Sequence, residues 1–148
     1  MNFEPSRAKA LNKLNDFIEK NDIGLAYIGD GAVEEGSFHE SLNFASVFKL
    51  PILFVVENNY YSIQTHIKDR QVSDNFTRFS NSNLIPSTRC DGNNFIDTFT
   101  NAKKIIKEVR KSKPYLLQLD TYRFVEHCGP NSDDHLKYRD GKELNHWL

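Results

Sequence analysis

Asp30 lies between two glycines in Gly29-Asp30-Gly31, and Asn58-Asn59 follow after 26 intervening residues, 32 to 57. Alone, each motif is ordinary: a GDG tripeptide makes a tight turn and paired asparagines make a loop. Together, each at the end of an apolar run, they offer one carboxylate and one amide oxygen to a common centre. Magnesium takes hard oxygen ligands in near-octahedral geometry, usually one or two carboxylates plus phosphate oxygens. Asp30 and Asn59 are therefore candidate ligands of a magnesium ion that in turn holds a diphosphate. Gly29 and Gly31 allow the backbone to turn tightly and approach a phosphate closely. The amides of Gly31 and Ala32, just ahead of an expected helix, would donate to that phosphate with the helix dipole in support. Glu34 and Glu35 favour a helix start but would repel a diphosphate, so they are expected to face away from it.

The elements that must position these residues are legible in the apolar periodicity. Residues 7 to 20 read as a helix with Ala8, Leu11, Leu14 and Ile18 on one face. Ile23 to Ile28 is a short apolar run ended by the GDG turn, a buried strand. From about Glu34 to Lys49, Phe38, Leu42, Ala45 and Phe48 recur at helical spacing, and Pro51 closes that element. Pro51 to Val56 is a second buried strand. Residues 60 to 85 are polar and weakly periodic, a loop with a short helix. Pro86 to Cys90 reads as a strand turned by Asp91-Gly92. Asn94 has the character of an N-cap for a helix reaching Lys111, with Phe95, Phe99, Ala102, Ile106 and Val109 as its buried stripe. Pro114 to Tyr122 is another strong strand. The polar tail from Arg123 to Leu148 carries three of the five histidines and reads as an extended functional loop.

Alternating strands and helices predict an α/β fold with a mostly parallel sheet flanked by helices, as one domain over residues 1 to 148. In such sheets ligands bind at the carboxyl ends of strands, where Asp30, Asn59 and the loop after Tyr122 all fall. A length of 148 residues supports one real core. The balance of 19 basic and 20 acidic residues argues against a nucleic-acid or membrane-surface footprint. Cys90 and Cys128 offer no disulfide framework, which fits a reducing compartment. The first residues lack a signal-peptide apolar core, and no apolar stretch is long enough to span a bilayer. A cytoplasmic protein is the expectation.

Other groupings have plainer readings. His127, Cys128 and His135 match no zinc-ligand spacing. The run from Lys103 to Lys111 is the wet face of a helix. Phe38, Phe44, Phe48 and Phe54 are expected in the core, with some at a subunit interface, and Cys90 is expected buried and inert.

The stretch IGDGAVEEGSFHESLNFASVFKLPILFVVENNYYS resembles the alpha subunit of the pyruvate and acetoin dehydrogenase decarboxylating components, which use thiamine diphosphate. The resemblance rests on GDGA, Gly36, Phe38, Glu40, Asn43, Ala45, the KLP tripeptide and ENN-x-Y. It continues through IPSTRCDGN and the strand leading to Thr121-Tyr122-Arg123, covers roughly residues 23 to 140, and fades over 65 to 84. It implies the thiamine-diphosphate-binding fold, in part. It implies Asp30, Asn59 and the main-chain oxygen of Tyr61 as magnesium ligands, with Gly29, Gly31 and Ala32 lining the diphosphate. It implies His127, four residues after Arg123, as the active-site loop histidine that orients substrate or receives the acyl group. Tyr138-Arg139 matches a pair later in that loop, and Glu40 and Asn43 match packing or subunit-contact positions.

The implied activity is magnesium- and thiamine-diphosphate-dependent decarboxylation and acyl transfer on a 2-oxo acid. The implied partners are a beta subunit supplying the glutamate that activates the cofactor, a small 2-oxo acid, and a lipoyl acyltransferase. Cys128 stands where some relatives carry a regulatory serine, so phosphorylation there is not expected. The loop reads EHCGPNSDDH, which suggests a branch other than pyruvate dehydrogenase. The family's alpha subunits are much longer, and RAKALNKLNDFIEKND replaces a glycine-rich segment. A fragment, a split subunit, and a non-catalytic remnant or assembly module all remain open. A magnesium-dependent phosphotransferase using Asp30 as nucleophile is disfavoured, because Ala32 stands where a second aspartate is wanted.

Overall fold

The computed structural model describes residues 21–139. Four strands form one parallel sheet in the order β1-β2-β6-β5: β1 Gly24–Gly29, β2 Ile52–Asn58, β5 Ser87–Asp91 and β6 Tyr115–Asp120. β3 (Tyr61–Ser62) and β4 (Thr65–His66) form a small antiparallel hairpin. The helices are α1 (Gly36–Phe48), α2 (Thr77–Ser82) and α3 (Phe95–Val109). The expected α/β architecture is present. The helix expected over residues 7 to 20 lies outside the described residues.

The central strands carry unbroken apolar runs over 52–56 and 115–117 because both faces of a parallel sheet are covered. Alternation along β2 divides its side chains between two cores. Phe54 and Val56 join Leu116 of β6 against Val33 and the α1 residues Phe38, Leu42 and Ala45. Leu53 and Val55 join Leu117 and Leu119 against Ile105 and Val109 of α3. α1 ends where Lys49 turns left-handed (φ 51°), and Pro51 two residues on cannot continue it. Asn94 caps α3 as expected, its side chain accepting from Asp97 N at 3.1 Å.

Three readings of the sequence need correction. Phe95 and Phe99 are not part of a buried stripe: they are 75% and 55% exposed and stack on each other. α3 meets the sheet through its second half, where Ala102, Ile105, Ile106 and Val109 lie. Phe44 is likewise exposed, while Phe38 and Phe54 are core. The segment 60 to 85 is more than a polar loop: Ile67, Phe76 and Ile85 are buried in the α1-side core. Gln118, fully buried in β6, ties that segment down by accepting from Phe76 N and donating to Asp74 O, both at 2.8 Å.

On β1, an edge of this sheet, Leu25 and Tyr27 share the α3-side face with Leu53 and Val55 by register, yet are half to two-thirds exposed. α3 reaches β2, β5 and β6, and its cover falls short of them.

Candidate functional site

Parallel pairing of β1 with β2 runs in register up to Gly29 opposite Glu57, and Asp30 N then donates to Glu57 O at 3.2 Å. Asp30 and Asn59 therefore leave the carboxyl edge of the sheet as neighbours, one residue past Gly29 and two past Glu57. This is the edge where open α/β sheets bind ligands.

The Asn58-Asn59 turn is shaped by its own side chains. Asn58 Oδ1 accepts from Tyr60 N at 3.2 Å and Asn59 Oδ1 accepts from Tyr61 N at 3.0 Å, two successive Asx turns. Tyr60 and Ile63 take left-handed backbone angles, φ 67° and 55°. For a β-branched residue such as Ile63 that conformation is strained, and strain of this kind concentrates at functional sites. The Ile63 carbonyl is held by Arg123 Nη2 at 2.6 Å. Beneath the turn, Asn58 is fully buried and donates to Asp120 Oδ1 at 2.9 Å. Asp120 also accepts from Gln118 Nε2 at 2.8 Å and from Arg89 Nε at 2.5 Å.

Asp30 is only 2% exposed. Burial pushes its carboxyl above the usual range and nearby Glu34 adds to that, while the hydrogen bond and charge of Arg70 pull the other way. Arg70 Nη2 contacts Asp30 Oδ2 at 2.6 Å, Nη1 pairs with Glu34, and Nε donates to Thr65 O at 3.2 Å. Glu34 is thus not turned away from Asp30: the two carboxylates meet on one guanidinium, which offsets their repulsion. Glu35 is exposed.

The glycines act differently from expectation. Gly31 has a negative φ of −72°, so left-handed freedom is not what the turn needs. A Cβ there would stand 2.6 Å from Ser62 Oγ and 3.0 Å from its Cβ, so the requirement is close approach of the β3 hairpin. A Cβ on Gly29 would meet nothing within 4 Å. Ala32 opens a three-residue 3-10 turn, and α1 starts only at Gly36, so the Gly31 and Ala32 amides do not head the α-helix.

The loop after β6 docks on the same hairpin. Tyr61 and Tyr138 rings meet edge to face at 5.3 Å, and Tyr61 OH donates to Tyr138 O at 3.5 Å. Arg123 Nη2 donates to Tyr138 OH at 2.7 Å, and Asp133, buried, pairs with Tyr138 and Arg139. His127 and Cys128 are exposed on this loop, as is His135. Glu40 and Asn43 are exposed on α1. A cleft of about 580 Å³ opens beside the turn, lined by Tyr60, His66, Ile67, Lys68, Gln71, Val72, Ser73 and Asp74.

Among the described residues no group of three or more His, Cys, Asp or Glu side chains is placed to hold a metal. A centre built from one carboxylate, one amide and one carbonyl is of a different kind. Its donors are all hard oxygens suited to magnesium, and Asn59 Oδ1 keeps a second lone pair beyond its bond to Tyr61 N. Sequence reasoning missed Arg70, Asp120 and Gln118. The only available signal was a buried-strand pattern interrupted by polar Gln118 and Asp120.

The chain matches the family described as Dehydrogenase E1 component over residues 7–148, further toward the N-terminus than the resemblance from residue 23. It is 37% identical over 131 residues to 2-oxoisovalerate dehydrogenase subunit alpha 1, mitochondrial, of Arabidopsis thaliana, covering 87% of this chain and 27% of that one. It is 32% identical over 131 residues to pyruvate dehydrogenase E1 component subunit alpha of Rhizobium meliloti, covering 88% and 37%. An Arabidopsis protein provisionally named a 2-dehydropantoate 2-reductase is 36% identical over 140 residues, covering 93% and 37%. The chain thus spans well under half the length of these relatives. In fold it is similar to a transketolase of Campylobacter jejuni, with a TM-score of 0.59 and 19% identity, covering 74% of this chain and 17% of that one. No helix among the described residues is long and apolar enough to cross a membrane. With the motifs at the expected sheet edge and a family match over nearly all of its length, the chain belongs to the dehydrogenase E1 component family.

Proposed function

We propose that this chain is the diphosphate-gripping part of a thiamine-diphosphate- and magnesium-dependent 2-oxo acid dehydrogenase alpha subunit. The observation that carries the reading is the placement of buried Asp30 and the Asn59-to-Tyr61 turn on adjacent parallel strand ends. Asp30 would supply the carboxylate to magnesium, Asn59 its amide oxygen and Tyr61 its main-chain oxygen. Gly29, Gly31 and Ala32 would border the diphosphate, with the bare Gly31 backbone allowing the hairpin close. When bound, the cofactor supplies the carbanion chemistry and electron sink for loss of carbon dioxide from a 2-oxo acid.

The chain's own residues bind and position. His127, on a loop anchored by Asp133, Tyr138 and Arg139, would orient the substrate or receive the acyl group. Residues 123 to 148 are read as the active-site loop and tail of one cofactor-binding domain. The glutamate that activates the cofactor would come from a beta subunit, and a lipoyl acyltransferase would take the acyl group. Cysteine usage alone supports the cytoplasm, and relatives named as mitochondrial leave an organelle equally compatible. The reductase activity named for one relative is not carried over to the GDG turn. A dinucleotide-binding glycine fingerprint wants a small residue where Glu34 follows Gly31.

Isothermal titration of the chain reconstituted with its beta subunit, using thiamine diphosphate with and without magnesium, tests the reading. Magnesium-dependent binding is expected, and Asp30→Ala is expected to abolish it. Binding unaffected by that substitution would remove Asp30 from the metal site. Cofactor binding without turnover in the presence of a beta subunit would favour the non-catalytic assembly role.

A further inference from the structure

Arg70 makes an arrangement that the cofactor reading does not require. Its side chain is about nine-tenths buried, and its guanidinium joins Asp30 and Glu34, with the Asp30 contact at 2.6 Å. Its third nitrogen, Nε, donates to Thr65 O at 3.2 Å, on the hairpin that begins at Tyr61. One cation therefore sits on the carboxylate proposed to hold magnesium. The same cation fastens the GDG turn to the segment carrying the other two proposed ligands.

We infer that Arg70 is a built-in counter-cation that competes with the metal for Asp30 and yields to it only when a diphosphate arrives. This rests on the proposed magnesium and diphosphate site. A buried carboxylate is strongly stabilised by one cation, and a second cation brought to the same oxygens meets the repulsion of the first. Magnesium alone must displace the guanidinium from Asp30 and then sit beside that cation, which Glu34 and Thr65 O still hold in a largely buried position. Magnesium arriving with a diphosphate brings phosphate oxygens, and the planar fork of an arginine matches phosphate well. The guanidinium is then repartnered as Asp30 passes to the metal. Metal and diphosphate binding are thereby coupled through one side chain, and such coupling is reciprocal: each ligand tightens the other by the same factor. Glu34 has a role here as the second anchor that keeps Arg70 beside Asp30.

The test is a titration of the full chain, paired with its beta subunit, with manganese as a magnesium substitute. Binding is read by electron paramagnetic resonance, with and without thiamine diphosphate, for the wild type, Arg70→Met and Arg70→Lys. The wild type is expected to bind manganese weakly alone and much more tightly with the diphosphate. Arg70→Met is expected to tighten manganese binding alone by about tenfold and to shrink the coupling factor by a similar amount. Arg70→Lys, which keeps the charge, is expected to stay within about threefold of the wild type for manganese alone. If Arg70→Met weakens manganese binding equally in both conditions, with an unchanged coupling factor and a lower melting temperature, Arg70 is only a structural tie and the inference fails. Should Arg70→Met not fold, Arg70→Gln, a neutral side chain that still hydrogen-bonds, is held to the same expectation. Failure of the wild type to bind manganese even with thiamine diphosphate would overturn the cofactor reading itself. Normal wild-type coupling that survives Arg70→Met would overturn this inference alone.

Discussion

Asn58, the last residue of β2, donates its Nδ2 to Asp120 Oδ1, the last residue of β6, at 2.9 Å, and the two are register partners in the sheet. This bond sits one residue before the turn that presents Asn59. It anchors the turn to the centre of the sheet rather than to another loop.

Asp120 holds Asn58, Gln118 and Arg89 together. Asp120→Ala leaves the fully buried Asn58 amide without that acceptor and should cost about 3 kcal/mol of stability. Asp120→Asn keeps an acceptor oxygen but loses the charge facing Arg89, and should cost roughly half as much. Urea unfolding of the three proteins gives the comparison. Equal costs for both substitutions would mean that the carboxylate charge, not the acceptor geometry, carries the effect.

Gly31 and Ser62 are in contact across two loops. Gly31→Ala places a Cβ 3.0 Å from the Ser62 Cβ and should destabilise by about 1–3 kcal/mol. Ser62→Gly removes both close atoms, Oγ and Cβ, and the Ser62 Cα at 3.7 Å is an ordinary contact. The double variant should therefore recover most of the loss. A thermodynamic cycle with additive costs would show that the two positions do not collide.

Cys90 and Cys128 should react at very different rates. Burial first, and then the carboxylates of Asp97, Asp120 and Asp91, push the Cys90 thiol up to about 11. At pH 8 only about one molecule in a thousand carries that thiolate. Cys128 is exposed. A disulfide reagent such as Ellman's should modify one cysteine quickly, and Cys128→Ser should remove that fast phase. A fast phase persisting in Cys128→Ser would place reactivity at Cys90.

The loop from residue 123 to 139 should loosen only in strong acid. Burial by itself would raise the Asp133 carboxyl. The Tyr138 hydrogen bond and the charges of Arg139 and Arg123 outweigh it and hold the group below the usual carboxylate range. A group depressed on folding stabilises the native state above its unfolded value, about 3.9, and that contribution is lost as pH falls through the folded value. Hydrogen-exchange protection of this loop should therefore hold from pH 7 to about 4 and fall below it. Asp133→Asn should already lack the added protection at pH 6. A decline setting in between pH 7 and 5 would assign the loop's stability to some other group.

Much of this protein was determined by local sequence. The run Pro51 to Val56 is a strand because burial on both sheet faces demands unbroken apolar residues, whereas Ile23 to Ile28 forms the edge strand with Leu25 and Tyr27 left exposed; the motifs that end both fall at the sheet's carboxyl edge. The α1 stripe of Phe38, Leu42 and Ala45 and the Asn94 cap are local patterns, and both are present. The family, too, was legible from GDG and NN and the residues between them.

Tertiary structure alone decided what surrounds these motifs. Arg70 is 40 residues from Asp30, and Asp120 is 62 residues from Asn58. A pairing between distant residues leaves no periodicity in the chain, because it depends on which loops the sheet order brings together. The burial of Ile67, Phe76 and Ile85 in a polar stretch was hidden for the same reason. So was the exposure of Phe95 and Phe99, since a helix's apolar stripe states which face seeks cover but not how far along its length the sheet provides it. Periodicity reports the direction of burial, and only the assembled fold supplies the surface that completes it.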